Sequence, residues 1–159
     1  MSFELIADLT RWTARISMLI FSISFIYEAV RNGHNRVKYL WRAFVAAHLL
    51  HMVCVISYYM IIQQAPSADP LTAILIFGLA MIIWIAFKSL RQAVSKGRLF
   101  APWFASWSLA LIFTATPISR ILPAETNHPI YHFMLYAMLA VLALRIFLDV
   151  KTKFGKQPT

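Results

Sequence analysis

The chain has 159 residues, of which 60% are hydrophobic and only 13% are charged, and its formal net charge is +9. Soluble domains carry about 25% charged residues, so this composition excludes an ordinary soluble domain and indicates a membrane protein. The positive residues cluster at the ends of apolar segments, as topology signals do, so the net charge does not indicate a nucleic-acid partner.

Five apolar segments follow one another along the chain, at about Trp12–Val30, Tyr39–Ile62, Leu71–Phe87, Pro102–Leu122 and Pro129–Val150. A helix satisfies its backbone polar groups within one segment, so all five are predicted to be membrane helices. We therefore predict an all-α integral membrane protein with a bundle of five transmembrane helices. Residues 1–150 form its single domain, and residues 151–159 form a polar cytoplasmic tail. The first segment is preceded by Glu4 and Asp8 rather than by a basic region, so we expect it to be retained.

Helix-breaking residues separate the segments. Asn32-Gly33 follows the first segment, Pro66–Pro70 separates the second from the third, and Lys96-Gly97 precedes the fourth. The stretch Pro123–Pro129 separates the last two, and its final proline suits the first turn of a helix. Pro117 lies inside the fourth segment, where a proline is expected to kink the helix or to end it early.

The distribution of Lys and Arg predicts the orientation. Positive residues concentrate after the first segment (Arg31, Arg36, Lys38, Arg42), after the third (Lys88, Arg91, Lys96, Arg98) and in the tail (Lys151, Lys153, Lys156). By the positive-inside rule these regions are cytoplasmic, which places the N-terminus outside and the C-terminus in the cytoplasm. Arg11 and Arg15, near the outer end of the first segment, depart from the rule. The bacterial inner membrane is the expected location, and the lipid bilayer is the expected surroundings.

His48 and His51 lie three residues apart inside the second segment, on one face of a helix. Ionisable residues in a bilayer core are costly and commonly mark functional sites. The pair has three possible roles: it can ligate a metal or haem iron, relay protons, or hydrogen-bond to another helix. The chain shows no glycine-rich phosphate loop, paired acidic metal motif or nucleophile elbow, so the question of enzymatic activity stays open.

A haem site needs further ligands, and the fifth segment offers His132 and Met138. At 1.5 Å per residue, His132 is predicted to lie about 12 Å from His51 in depth. Axial ligand atoms lie only about 4 Å apart, because each metal–imidazole bond is about 2 Å long. Three explanations stay open: helix tilt can shift the depths, Met138 can be the second ligand, or the ligands can come from two protomers. The depth estimate favours Met138, or a ligand from a second protomer, over His132. Arg15 is a candidate for holding an anionic group such as a haem propionate or a lipid phosphate.

Charged residues near the inner ends of the first and last segments predict local ion pairs. Glu28 is expected to pair with an arginine of the cluster around Arg31. Arg145 and Asp149 lie four residues apart, the spacing at which side chains meet on a helix, and are expected to form an ion pair.

Two stretches, Arg11–Ser17 and Leu40–His51, resemble small bacterial proteins related to the ferric-reductase-like transmembrane domain. The resemblance implies haem b and transmembrane electron transfer, with His48 at the position of the family histidine in the second helix. Such relatives usually place another histidine at the start of a later helix, where this chain has Leu99–Trp103 and no histidine. Either His128 or His132 takes its place, or the haem site has been lost. The chain also lacks a flavin- or nicotinamide-binding domain, so the resemblance implies a separate redox partner.

These observations predict a haem-b-type membrane electron-transfer protein that acts with a redox partner or quinone. A homo-oligomer would be a further form of association, because it could supply a haem ligand from a second protomer. The alternative is a cofactor-free membrane protein that binds a small apolar or lipid ligand, or that serves as an assembly subunit of a membrane complex.

Overall fold

The computed structural model describes residues 3–31, 35–62, 70–91, 103–122 and 128–154. These residues form five α-helices and no strand: α1 (Phe3–Val30), α2 (Asn35–Ile62), α3 (Pro70–Arg91), α4 (Trp103–Ile121) and α5 (Pro129–Phe154). Each helix contains the apolar segment predicted for it, to within one residue at either end. The all-helical prediction is therefore confirmed. The helix-breaking stretches at Asn32-Gly33 and Lys96-Gly97 lie outside the described residues.

Two helices extend beyond the apolar segments that predicted them. α1 begins at Phe3 rather than at Trp12. Its first turns are amphipathic: Ile6 is buried, while Asp8 and Arg11 form an exposed ion pair at 2.8 Å. α5 continues to Phe154, so the first part of the predicted polar tail is helical, and residues 155–159 lie outside the described part of the chain. Hydropathy marks only the apolar part of a helix, which is why it missed these ends.

Three of the described helices are long and apolar enough to cross a membrane: Phe3–Val30, Arg36–Ile62 and Pro129–Thr152. A shorter apolar stretch, Ile76–Phe87, lies in α3. α4 has 19 residues, and its hydroxyl side chains and Arg120 lower its hydropathy. The three long apolar helices suggest a membrane protein, in agreement with the class that the composition predicted.

The helices form a closed ring in chain order. Each helix packs against the next one, and α5 packs against α1. α1 and α2 are antiparallel, since the pairs Ser17–His48 and Thr13–His51 run in opposite directions along the two helices. α1 and α5 are parallel, since Ser22 contacts Met138 and Glu28 contacts Arg145. α2 and α5 therefore lie on either side of α1.

The buried core lies towards one end of the helix ring, measured along the helix axes. We call this end the basic half. It contains the C-terminal ends of α1 and α5 and the basic residues Arg31, Arg36, Lys38 and Arg42. Phe21, Phe25, Trp41 and Phe44 are fully buried there, with ring centroids 5.3–5.9 Å from one another in four pairs. We call the opposite half, which contains Thr13, Ser17, His48 and His51, the histidine half.

Pro117 does not end α4, which continues to Ile121, so the predicted early end is wrong. The predicted kink stays a prediction. Pro117 is buried and has no N–H, so the carbonyl of Phe113 lacks its usual helical donor. The hydroxyls of Thr114 and Thr116 donate to the carbonyls of Ala110 and Ile112 at 2.8 and 2.9 Å. Such bonds from side chain to backbone favour bending of a helix.

Candidate functional site: a layer of histidines

The two histidines of α2 hydrogen-bond to two hydroxyls of α1. Ser17 Oγ lies 2.8 Å from His48 Nδ1, and Thr13 Oγ1 lies 3.1 Å from His51 Nδ1. Thr13 and Ser17 are four residues apart on α1, and His48 and His51 are three apart on the antiparallel helix α2. Both spacings keep side chains on one helix face, so the two hydrogen bonds form at a single contact between the helices. Of the three roles considered for the pair, interhelical hydrogen bonding is the one that these contacts confirm.

Thr13 orients the ring of His51. Its hydroxyl oxygen lies 2.8 Å from the Leu9 carbonyl, 3.1 Å from the Thr10 carbonyl and 3.1 Å from Nδ1 of His51. When the hydroxyl proton is donated to a carbonyl, the oxygen accepts Nδ1–H of His51, and the lone pair of the neutral imidazole then lies on Nε2. The contact occupies Nδ1 and leaves Nε2 as the ring nitrogen that can bind a ligand.

His48 lies at the boundary between the histidines and the aromatic core. Its ring centroid is 5.7 Å from Phe44, 5.7 Å from Phe113 and 5.5 Å from His51. Ser17, its hydrogen-bond partner, is fully buried. His48 therefore has phenylalanine neighbours on its own helix α2 and on α4. The imidazole of His51 has His48 as its one aromatic neighbour among the described residues.

The contacts between α1 and α5 determine the depth of His132, measured along the helix axes. Met138 pairs with Ser22, and Arg145 pairs with Glu28, so the residue numbers in contact differ by 116 and 117. The same offset puts His132 beside residues 15–16 of α1. That level lies between Thr13 and Ser17, the partners of His51 and His48. The structure therefore brings the three histidines to one level, which we call the histidine layer.

This register corrects the depth estimate made from the sequence. His132 lies within about 4 Å of His51 in depth, rather than about 12 Å away, at 1.5 Å per residue. Met138 lies at the level of Ser22, about 13 Å from that of Thr13 by the same rise. Met138 is also fully buried, and its sulfur lies 3.6 Å from the hydroxyl oxygen of Ser22, which donates to the Met18 carbonyl at 2.8 Å. The depth argument that favoured Met138 over His132 is therefore wrong, because it assumed that the helices enter the membrane without tilt or axial offset.

Arg15 lies on α1 at the level of His132, and its guanidinium carbon lies 5.1 Å from the ring centroid of Trp12. Trp12 is exposed on the outer surface of the ring. A cation–π contact of this kind positions the guanidinium without neutralising it. Arg15 therefore remains able to bind an anionic group near the histidine layer.

The histidine layer is less buried than the aromatic core. His48, His51, His132, Thr13 and Arg15 are all half-buried, whereas the aromatic core of the basic half is fully buried. Among the described residues, no group of three or more His, Cys, Asp or Glu side chains is arranged to hold a metal ion. Haem iron needs only two axial side chains, so this result does not test a haem site.

A second polar cluster, which the sequence predicted only in part, lies in the basic half. Arg145 is buried and lies 3.1 Å from Asp149, which confirms the predicted ion pair. Arg145 also lies 3.7 Å from the buried Glu28 of α1, donates to the carbonyl of Phe25, and lies 4.5 Å from the Phe25 ring centroid. The contact between Glu28 and Arg145 was missed because their separation in the chain gives no local signal. The available signal was a carboxylate and a guanidinium in two apolar segments.

Comparison of the chain with protein-family models, curated proteins and solved structures found no match. The resemblance to the ferric-reductase-like transmembrane domain stays a prediction, and function is inferred from the contacts of the chain itself.

Proposed function

We propose that the protein is a small haem-b membrane protein that passes electrons between a redox partner and quinone or a second partner. The observation that carries the proposal is the histidine layer: His48 and His51 on α2 and His132 on α5, at one level on either side of α1. Haem, when bound, supplies reversible one-electron chemistry at its iron.

The residues of the layer have separate roles in this proposal. His51 would hold the haem iron through Nε2, and the hydrogen bond with Thr13 would orient its ring, as hydrogen-bonded partners of metal ligands commonly do. His132 offers the second ligand from α5. The resemblance implies His48 in place of His51, and Ser17 would then orient that ring. Arg15 supplies a positive charge for a propionate.

The proposal is tested by the absorption spectrum of the purified protein. The protein is expressed with a supply of haem precursor and purified in detergent. We expect a Soret band that sharpens and shifts on reduction, with the low-spin spectrum of iron that has two strong axial ligands. A purified, folded protein without Soret absorption would exclude the haem proposal.

We further propose that all five helices cross the bacterial inner membrane, with the N-terminus outside and the C-terminus in the cytoplasm. The support is the ring itself, since α3 and α4 pack between α2 and α5. The basic residues also collect at one end of it. Reporter fusions at Ala68 and Thr126 are expected to read as periplasmic. A cytoplasmic signal at either position would contradict the five-span topology.

A second candidate is a cofactor-free membrane protein that binds a small apolar or lipid ligand, or that serves as an assembly subunit. The observation that favours it is that both histidines of α2 already have hydroxyl partners on α1. Interhelical hydrogen bonds in membranes contribute about 0.6 kcal/mol on average, enough for a structural role. The absence of a Soret band, combined with loss of stability on substitution of Ser17 or Thr13, would favour this candidate.

A further inference from the structure

Two indole groups in the interior of the ring lack a hydrogen-bond acceptor. The Nε1 atoms of Trp41 on α2 and Trp107 on α4 are both buried, and no residue that the structure describes accepts a hydrogen bond from either. Trp41 as a whole is 0% exposed. Native proteins pair most buried donors, and each exception calls for an explanation such as a bound molecule.

The two indoles flank the same pair of rings on α1. Phe21 and Phe25 stack with centroids 5.4 Å apart and an interplanar angle of 17°. The Trp41 ring lies 5.9 Å from Phe21 at 77°, and the Trp107 ring lies 5.3 Å from Phe25 at 82°. Indoles from two helices therefore contact one stacked pair of rings on α1.

Nearby hydroxyls do not satisfy the indoles. Ser24 and Ser106 are buried beside Phe25 and Trp107 in the chain. Ser24 donates to the Ile20 carbonyl at 2.7 Å, and Ser106 donates to the Trp103 carbonyl at 3.0 Å. Each hydroxyl oxygen keeps lone pairs that can accept, yet neither accepts a hydrogen bond from Nε1 of Trp41 or Trp107. The two indole donors therefore stay unused among the described residues.

We propose that this pair of indoles binds a neutral oxygen acceptor from outside the chain, held by Nε1–H of Trp41 and of Trp107. Both donors are uncharged N–H groups, and a neutral acceptor satisfies them without placing a further charge in the buried core. Water and the carbonyl group of an apolar molecule both supply a neutral acceptor oxygen. The proposal is independent of haem, which would bind in the other half of the ring.

The hydrogen-bond state of the two indoles tests the proposal directly. Ultraviolet resonance Raman spectra of the full-length protein in detergent report whether each indole N–H is bonded. Difference spectra between the wild type and Trp41→Phe or Trp107→Phe isolate each signal and keep an aromatic ring in place. Trp84→Phe on α3, whose side chain is 40% exposed, is the matched control.

A pair of probes separates the two sources of the acceptor. 9-Fluorenone and fluorene have the same aromatic body, but only the former carries a carbonyl oxygen. If a carbonyl ligand is the occupant, we expect 9-fluorenone to bind more tightly than fluorene, and its carbonyl stretching band to shift to lower frequency. Each substitution to Phe should then raise the dissociation constant of 9-fluorenone by about 2- to 10-fold, the worth of one net hydrogen bond. Trp84→Phe should leave the dissociation constant unchanged.

The outcomes are distinct. Bonded indole N–H groups in the protein without a probe support water as the acceptor. Free N–H groups that become bonded only with 9-fluorenone support a carbonyl ligand. Free N–H groups in both conditions would overturn the proposal. Its failure would leave the Soret spectrum unaffected, so the two proposals fail separately.

Discussion

Substitution of Arg145 by Met is expected to lower the free energy of unfolding by about 3–5 kcal/mol, the cost of removing one partner from a buried ion pair. Arg145 and Glu28 are 2% and 1% exposed, so the carboxylate would lose the guanidinium that lies 3.7 Å away. The carbonyl of Phe25 would also lose its donor from α5. Because α5 closes the ring against α1, the loss should separate these two helices. Reversible denaturation in detergent micelles measures the change.

Two further variants distinguish the contribution of the buried pair Glu28–Arg145 from that of the more exposed pair Arg145–Asp149. Asp149→Asn removes the partner at 3.1 Å, whose side chain is 29% exposed, and should cost about 0.5 kcal/mol, as helical pairs at this spacing do. The double variant Glu28→Gln/Arg145→Met removes both buried charges and should be more stable than Arg145→Met alone. A cost below about 1 kcal/mol for Arg145→Met would show that the contact with Glu28 contributes little.

The second large effect is expected at the histidine layer, in protein that binds haem. His51→Ala and His132→Ala should each abolish the low-spin Soret spectrum, since each removes one proposed axial ligand. Met138→Leu should retain this spectrum, because Met138 lies at the level of Ser22, where its sulfur contacts the Ser22 hydroxyl. Absorption spectra of the oxidised and reduced variants measure both outcomes.

A control residue is available on α5. His128 lies at the start of this helix, is exposed, and accepts a hydrogen bond from the backbone N–H of Ile130 at 3.3 Å. His128→Ala should therefore leave the haem spectrum unchanged. His48→Ala distinguishes the two candidates on α2: loss of haem from this variant, with retention in His51→Ala, would assign the ligand that the resemblance implies. Haem retained in His132→Ala but lost in Met138→Leu would contradict the register derived from α1 and α5.

The sequence by itself determined the class and the number of helices. Apolar segments of about 20 residues have one way to satisfy their backbone in a membrane, and the breakers between them mark where the helices end. It also predicted the pair Arg145–Asp149, because side chains four residues apart on a helix meet regardless of the surrounding fold. Such local rules missed the amphipathic start of α1, where hydropathy carries no signal.

Only the tertiary structure decided which residues of different helices share a level. The axial offset between α1 and α5 follows from how their side chains interlock, and hydropathy contains no information on that offset. The offset joins Glu28 to Arg145 and brings His132 to the level of His48 and His51. A shift of one helical turn, 5.4 Å, would leave the hydropathy of every segment unchanged and would still separate the residues of this layer.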